Sequence, residues 1–185
     1  MNFREKDDLK WPTPGSVPFL EVLEQIKMKV DFSNINRFIE CGTGETGDNA
    51  VHFSKYFETL TVDNNKDLYD RYKDRIQPYK NIQFILGDGC ENLKSILSEN
   101  KEERFVILLD DHNQYVSFIA EELKIIKEHS NRDDHIIIID DLKFAGQGSY
   151  PTIQEVENLS YQINKNYKIK NTKIGQDIYV LYTEA

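Results

Sequence analysis

One stretch constrains this chain more than any other: Arg37 to Asn64, a short apolar run, a glycine-rich turn, a helix, and a second apolar run that ends in an acid. Gly42, Gly44 and Gly47 fall at G-x-G-x-x-G spacing, directly after a predicted strand and at the opening of a predicted helix. In that context Gly42 makes the tight turn, Gly44 lets a ligand approach the backbone, and Gly47 lets helix and strand pack closely. Asp63 closes the next strand about 20 residues on, where a carboxylate accepts hydrogen bonds from a ribose diol. The pattern predicts a nucleoside-containing cofactor.

Glu40, two residues before the first glycine, narrows the choice of nucleoside, and Glu45 lies inside the loop. A dinucleotide would place its pyrophosphate against these acids and be repelled. S-adenosylmethionine has no phosphate and carries a sulfonium and an ammonium group, which suit an acidic loop. At Glu40-Cys41-Gly42-Thr43-Gly44 the sequence resembles the class I S-adenosylmethionine-dependent methyltransferases, whose first motif places an acid two residues before a glycine-rich turn. The resemblance implies that Glu40, Gly42, Thr43, Gly44 and Asp63 bind the cofactor.

The rest of the chain alternates strand and helix, as a parallel sheet covered on both faces does. Predicted strands run over Arg37–Cys41, Thr59–Asp63, Asn81–Leu86, Arg104–Leu109 and His135–Ile139, the last nearly all isoleucine, as in a central strand. Predicted helices cover Phe19–Val30, Asp48–Tyr56, Lys66–Ile76, Glu91–Glu99, Tyr115–His129 and Thr152–Asn164. Two closing strands, Lys168–Thr172 and Asp177–Tyr182, meet at a turn. The resemblance implies an α/β, Rossmann-like seven-stranded sheet ordered 3-2-1-4-5-7-6, last strand antiparallel, with helices on both faces. At 185 residues the chain suits a single domain. Residues Met1 to Pro18, broken by Pro12, Pro14 and Pro18, read as an N-terminal arm, or a lid that packs Trp11 near the cofactor.

A formal charge of −9 argues against a broad nucleic-acid surface. The basic KIKNTK segment reads as an ordinary hairpin. No apolar run approaches a membrane span and no signal peptide follows Met1, so the expected location is the cytoplasm. Cys41 and Cys90, the only cysteines, read as reduced thiols.

The chemistry is expected at the strand ends. In an open α/β sheet, ligands bind outside the carboxyl ends of the strands. After the third strand, Asp88 sits where the resemblance places an acid on the adenine amino group, or it is a solvated turn residue. After the fourth and fifth strands come Asp110-Asp111-His112 and Asp140-Asp141. Neighbouring strands lie about 4.8 Å apart. Carboxylates gathered so closely call for protonation, a basic group or a cation such as Mg²⁺.

The pattern resembles metal-assisted sugar O-methyltransferases, which implies a magnesium ion held by Asp110, Asp140 and Asp141, and a base at His112, where aspartate is usual. Asp110 alternatively contacts the methionine part of the cofactor, or the acid pairs are solvated and cap helices; Asp111 is the second candidate base. The expected activity is S-adenosylmethionine-dependent O-methylation of a sugar or small-molecule hydroxyl, by a monomer or a homo-oligomer. The rivals are an NAD-dependent oxidoreductase and a non-catalytic S-adenosylmethionine-binding module.

Overall fold

The computed structural model describes residues 17–44, 47–113, 116–174 and 178–185, with Val17, Pro18, Arg75, His112 and Asn113 described by their backbone alone. The N-terminal arm with Trp11, and Glu45 in the loop, lie outside the described residues. Helix α1 (Val17–Ile26) precedes strand β1 (Ile35–Cys41), helix α2 (Asp48–Phe53), strand β2 (Glu58–Asp63), helix α3 (Lys66–Ile76), strand β3 (Ile82–Leu86), helix α4 (Gly89–Glu99) and strand β4 (Arg104–Leu109). A short antiparallel pair, β5 (His112–Asn113) and β6 (Val116–Ser117), leads into helix α5 (Ile119–His129). Strand β7 (Ile136–Ile139), helix α6 (Ile153–Ile163) and strands β8 (Lys168–Asn171) and β9 (Tyr179–Tyr182) complete the chain.

The main sheet has seven strands in the order β3-β2-β1-β4-β7-β9-β8. Strands β3 to β7 of this sheet are parallel, and β9 runs antiparallel to both β7 and β8. With the small β5–β6 pair set aside, this is the expected order. Strand β6 stands within the predicted Tyr115–His129 helix, so that α5 begins only at Ile119. The short central strands are apolar on both faces, and every residue of β4 and β7 is buried.

Alternation along the strands creates two cores. Ile39, Ile107, Ile137 and Leu181 face α4, α5 and α6, while Phe38, Val106, Leu108 and Ile138 face α1 and α2. Phe38 stacks on Phe53 of α2 with ring centroids 3.8 Å apart, which fixes the short helix against the sheet. Helix α6 opens with a capping box, Thr152 Oγ1 accepting from the Glu155 amide at 3.2 Å and Glu155 Oε2 accepting from the Thr152 amide at 2.8 Å. The exposed edge strand β8 carries Lys168 and Lys170, charges that discourage pairing with another sheet.

His135, at the foot of β7, is a structural residue. Its Nδ1 accepts from the Phe105 amide at 3.2 Å, so Nε2 carries the proton and donates to Ser130 Oγ at 2.9 Å. Burial, the largest cause, pushes its pKa down to about 4. The unfolded chain therefore binds this proton first as pH falls. Stability is complete above the ordinary histidine pKa of about 6.5 and declines toward pH 4, by an amount on the order of 3 kcal/mol. Urea midpoints for the wild type and His135→Gln should therefore converge as pH falls from about 7.5 to about 4.5. A constant gap would remove His135 from acid denaturation.

Candidate functional site

The site forms at the carboxyl ends of β1, β2, β4 and β7. Parallel register aligns Cys41 with Val62 and Leu109, and Leu109 with Ile139, so the residues that follow these positions emerge side by side. The Asp110 amide donates to Cys41 O at 2.9 Å and the Asp140 amide to Leu109 O at 3.2 Å, continuing the ladder past the strand ends.

The glycine turn is built as its sequence requires, with one difference. Gly42 has φ +89°, and a Cβ there would lie 2.3 Å from the Asp110 carbonyl oxygen. A Cβ on Gly44 would meet no atom of the described residues within 4 Å, which leaves room for a ligand to approach its backbone. At Gly47 the expected reason does not hold. A Cβ there would make ordinary contacts with Tyr72 and Thr43, at 3.6 and 3.7 Å, and the left-handed φ of +62° is what calls for glycine.

Glu40 is completely buried, in register with Thr61 of β2. Thr61 Oγ1 donates to Glu40 Oε2 at 2.6 Å and lies 2.7 Å from Thr43 Oγ1, which gives a hydroxyl chain from the glycine turn to the buried acid. Glu40 Oε1 accepts no hydrogen bond, although the nearby Asn49 side chain favours the charged form. Burial, opposed by Thr61 and reinforced by Asp110 and Asp63, raises the Glu40 pKa to about 8. Sequence reading picked out Glu40 and Thr43 but not Thr61 or Asn49, since strand register brings Thr61 to Glu40 and no linear spacing marks it.

Asp63 holds the same turn from the other side. Its Oδ2 accepts from the Thr43 amide at 3.2 Å and its Oδ1 from the Asn65 amide at 2.8 Å. The carboxylate is half-buried at the β2 terminus, with lone pairs left for a ligand. Asp88 is exposed and caps α4, accepting from the Glu91 amide at 2.9 Å. Cys41 and Cys90 are both free, and burial pushes their thiols up, Cys90 to about 12, with the Glu122 carboxyl adding to the effect. Neither thiol is a ready nucleophile at neutral pH.

The four strand-end aspartates divide between two surroundings: Asp110, Asp140 and Asp141 act together on Tyr150, whereas Asp111 turns toward α4. Asp111 Oδ2 lies 2.2 Å from where a Gly89 Cβ would sit, so this acid packs on the first turn of α4, where the helix dipole favours it. Asp140 Oδ1 accepts from the Asp141 amide at 2.8 Å. Asp141 adopts a left-handed φ of 57° and pairs through Oδ1 with Lys143 Nζ at 2.7 Å, while that ammonium lies 5.0 Å from the centroid of the Phe144 ring. Among the described residues no group of three or more His, Cys, Asp or Glu side chains is arranged to hold a metal ion. The expected magnesium site at Asp110, Asp140 and Asp141 is thus not formed by these residues as placed; a basic group, Lys143, offsets the acids instead. His112 sits at the start of β5, past the end of β4, and its side chain lies outside the described residues.

Tyr150 joins the site from the loop after β7. It is buried, its ring lies 5.5 Å from that of Phe144, and burial followed by Asp141, Asp110 and Asp140 pushes its hydroxyl up to about 12. Ser149 Oγ, beside it, accepts from the Ser117 amide at 2.8 Å and ties this loop to β6. In the sequence, Tyr150-Pro151 and the glycines before it read either as a substrate-side loop or as an ordinary connection. A cleft of about 780 Å³ opens at the opposite, amino-terminal end of the strands. Its arginines are already paired there, Arg37 with Glu58 at 3.2 Å and Arg104 with Asp134 at 3.2 Å, and it lies away from the strand ends that carry the glycine turn.

No family model matches the chain, and no curated protein matches it. Solved structures do. The fold is similar to that of yhhF, a proposed methyltransferase of Escherichia coli, with 12% identity, a TM-score of 0.60, and 95% of this chain and 88% of that one covered. A SAM-dependent methyltransferase of Aquifex aeolicus gives 15% identity and a TM-score of 0.56 over 90% and 88% of the two chains. An rRNA methylase of Streptococcus thermophilus gives 14% identity and a TM-score of 0.53 over 91% and 97%. At these identities the likeness concerns architecture, and this chain has the class I methyltransferase fold.

Proposed function

We propose that the protein is an S-adenosylmethionine-dependent methyltransferase acting on a hydroxyl of a sugar or other small molecule. One observation carries the cofactor reading: a completely buried acid, Glu40, with an unpartnered oxygen, stands behind a glycine turn whose Gly44 backbone is open. A buried carboxylate needs a positive partner to ionise, and S-adenosylmethionine offers two. NAD would bring pyrophosphate to the same turn, where Glu40, Asp63 and Asp110 supply only negative or neutral carboxyls.

When bound, S-adenosylmethionine supplies an electrophilic methyl group. The chain's own part is to hold it with Thr43 and Asp63 and to present the acceptor beyond Asp110 in line with the methyl, with Asp88 at the adenine end. His112, just past β4, is the proposed base that removes the acceptor proton. Asp111 is less suited, since its carboxylate is committed to α4. No step is routed through magnesium. The sugar or small-molecule choice is supported by the carboxyls of Asp110, Asp140 and Asp141 around Tyr150, which disfavour phosphate-bearing acceptors. The location proposed is the cytoplasm; among the described residues no helix is long and apolar enough to cross a membrane.

Calorimetry with S-adenosylmethionine and with NAD, on the wild type and Asp63→Ala, tests this reading. S-adenosylmethionine should bind the wild type, and the variant should bind roughly tenfold or more weakly, for charge-assisted bonds worth about 1.5–3 kcal/mol. Part of that loss will come through the Thr43 amide, which Asp63 holds in place. Tight NAD binding without S-adenosylmethionine binding would refute the proposal. Binding without release of S-adenosylhomocysteine over a panel of sugars and small alcohols would favour the non-catalytic module.

A further inference from the structure

Among the described residues, Glu40 is packed against elements that leave its charge without a counter-ion. Strand β2 presents Thr61, a single hydrogen-bond donor, and then Asp63; β4 presents Asp110; α2 presents Asn49 and carries Asp48 and His52 as its titratable groups. The charged groups acting most strongly on Glu40, Asp110 and Asp63, are both acids. Ionised, Glu40 would be dehydrated, held by the Thr61 hydroxyl and the Asn49 side chain with no cation among them, and set beside two like charges. With Oε2 accepting from Thr61, the proton of the neutral acid rests on Oε1, the oxygen without a partner.

We propose that binding at this site exchanges one positive charge for another: Glu40 is a neutral acid in the free protein and releases its proton as a cationic nucleoside enters. The inference rests on the cofactor reading above and adds a property to it. The step balances as a carboxylic acid plus a ligand cation giving a carboxylate–cation pair plus one proton passed to the buffer. Its value is discrimination, because a neutral nucleoside of the same shape cannot ionise Glu40 and gains nothing from it. The raised pKa of about 8 places the exchange in the neutral range. Apparent affinity for a cationic ligand should tighten about tenfold per pH unit through neutrality and level off above about pH 8.

The test is calorimetry near neutral pH in phosphate and in Tris, buffers whose protonation heats differ widely. Three probes are used: S-adenosylmethionine, with sulfonium and ammonium; S-adenosylhomocysteine, with ammonium only; and 5′-methylthioadenosine, with neither. S-adenosylmethionine should release close to one proton and 5′-methylthioadenosine none. Release with S-adenosylhomocysteine assigns the exchange to the ammonium, and its absence there assigns it to the sulfonium. Glu40→Gln, shown to be folded by its melting transition, should bind with affinity that is flat in pH apart from the ligand's own amine titration, which this variant measures and subtracts. S-adenosylmethionine binding by the wild type with no more proton release than by Glu40→Gln overturns the proposal and leaves the cofactor reading standing. No S-adenosylmethionine binding at any pH overturns both.

Discussion

Gly42→Ala should lower stability by about 4 kcal/mol, seen as a fall of roughly 10 °C in the melting temperature for a chain of this size. The added Cβ would fall 2.3 Å from the Asp110 carbonyl oxygen, 2.7 Å from its carbon and 2.9 Å from the Asp111 nitrogen. All three are backbone atoms, so no side chain can swing aside. That backbone is fixed in turn, because the Asp110 amide donates to Cys41 O and the Gly42 amide to Val62 O, each at 2.9 Å. Relief requires prising β1 from β4, and φ +89° adds strain for any residue with a Cβ. Gly44→Ala is the matched control. It has a positive φ of 66° but nothing within 4 Å among the described residues, so it should cost only about 1–2 kcal/mol while still obstructing the ligand's approach. Equal melting temperatures for the two variants would refute the packing argument.

Glu40→Gln should make the free protein more stable at neutral pH, by about 2–3 kcal/mol. The sign follows from linkage. An acid whose pKa is raised on folding is deprotonated more readily in the unfolded chain, so stability is greatest below the ordinary carboxylate range and declines as pH rises from about 4.5 toward 8. Glutamine keeps the shape of the neutral acid and removes that decline, though its amide leaves a buried donor to satisfy, which trims the gain. Urea unfolding near pH 4.5 should find variant and wild type alike, and near pH 7.5 the variant should be ahead. A variant less stable than wild type at both values would mean that Glu40 is ionised and compensated in the free protein. A residue at the centre of a ligand site that weakens its own fold is the usual exchange of stability for function.

These expectations differ in how far the sequence alone supports them. The isoleucine-rich run at 135–139 places its strand centrally without any structure, since only a strand covered on both faces is apolar at successive positions, and RFVILL at 104–109 reads as a strand on the same grounds of composition. Glycine spacing and the acid at Glu40 are also local, and they locate the cofactor turn because backbone conformation at a glycine is a property of a few adjacent residues. The start of α5 was not legible. Val116 to Phe118 are as compatible with a helix as with a strand, and the choice falls to contacts such as the Ser117 amide with Ser149, 32 residues away.

What the sequence by itself determined is therefore the architecture and the place of the site: which runs are strands, and that acids gather at their carboxyl ends. Only the tertiary structure decided what those acids do. Asp110, Asp111, Asp140 and Asp141 read as one cluster in sequence. Folded, Asp111 turns onto α4, Asp140 binds the adjacent backbone, and Asp141 pairs with Lys143. Glu40 reads as a plain anionic strand-end residue until the register of β1 on β2 places it on Thr61 with no cation beside it among the described residues. The physical reason is common to both cases. Patterning and local conformation are set by neighbours in the chain, whereas the state of a carboxyl depends on its burial and on charges a few ångströms away, brought there by segments remote in sequence.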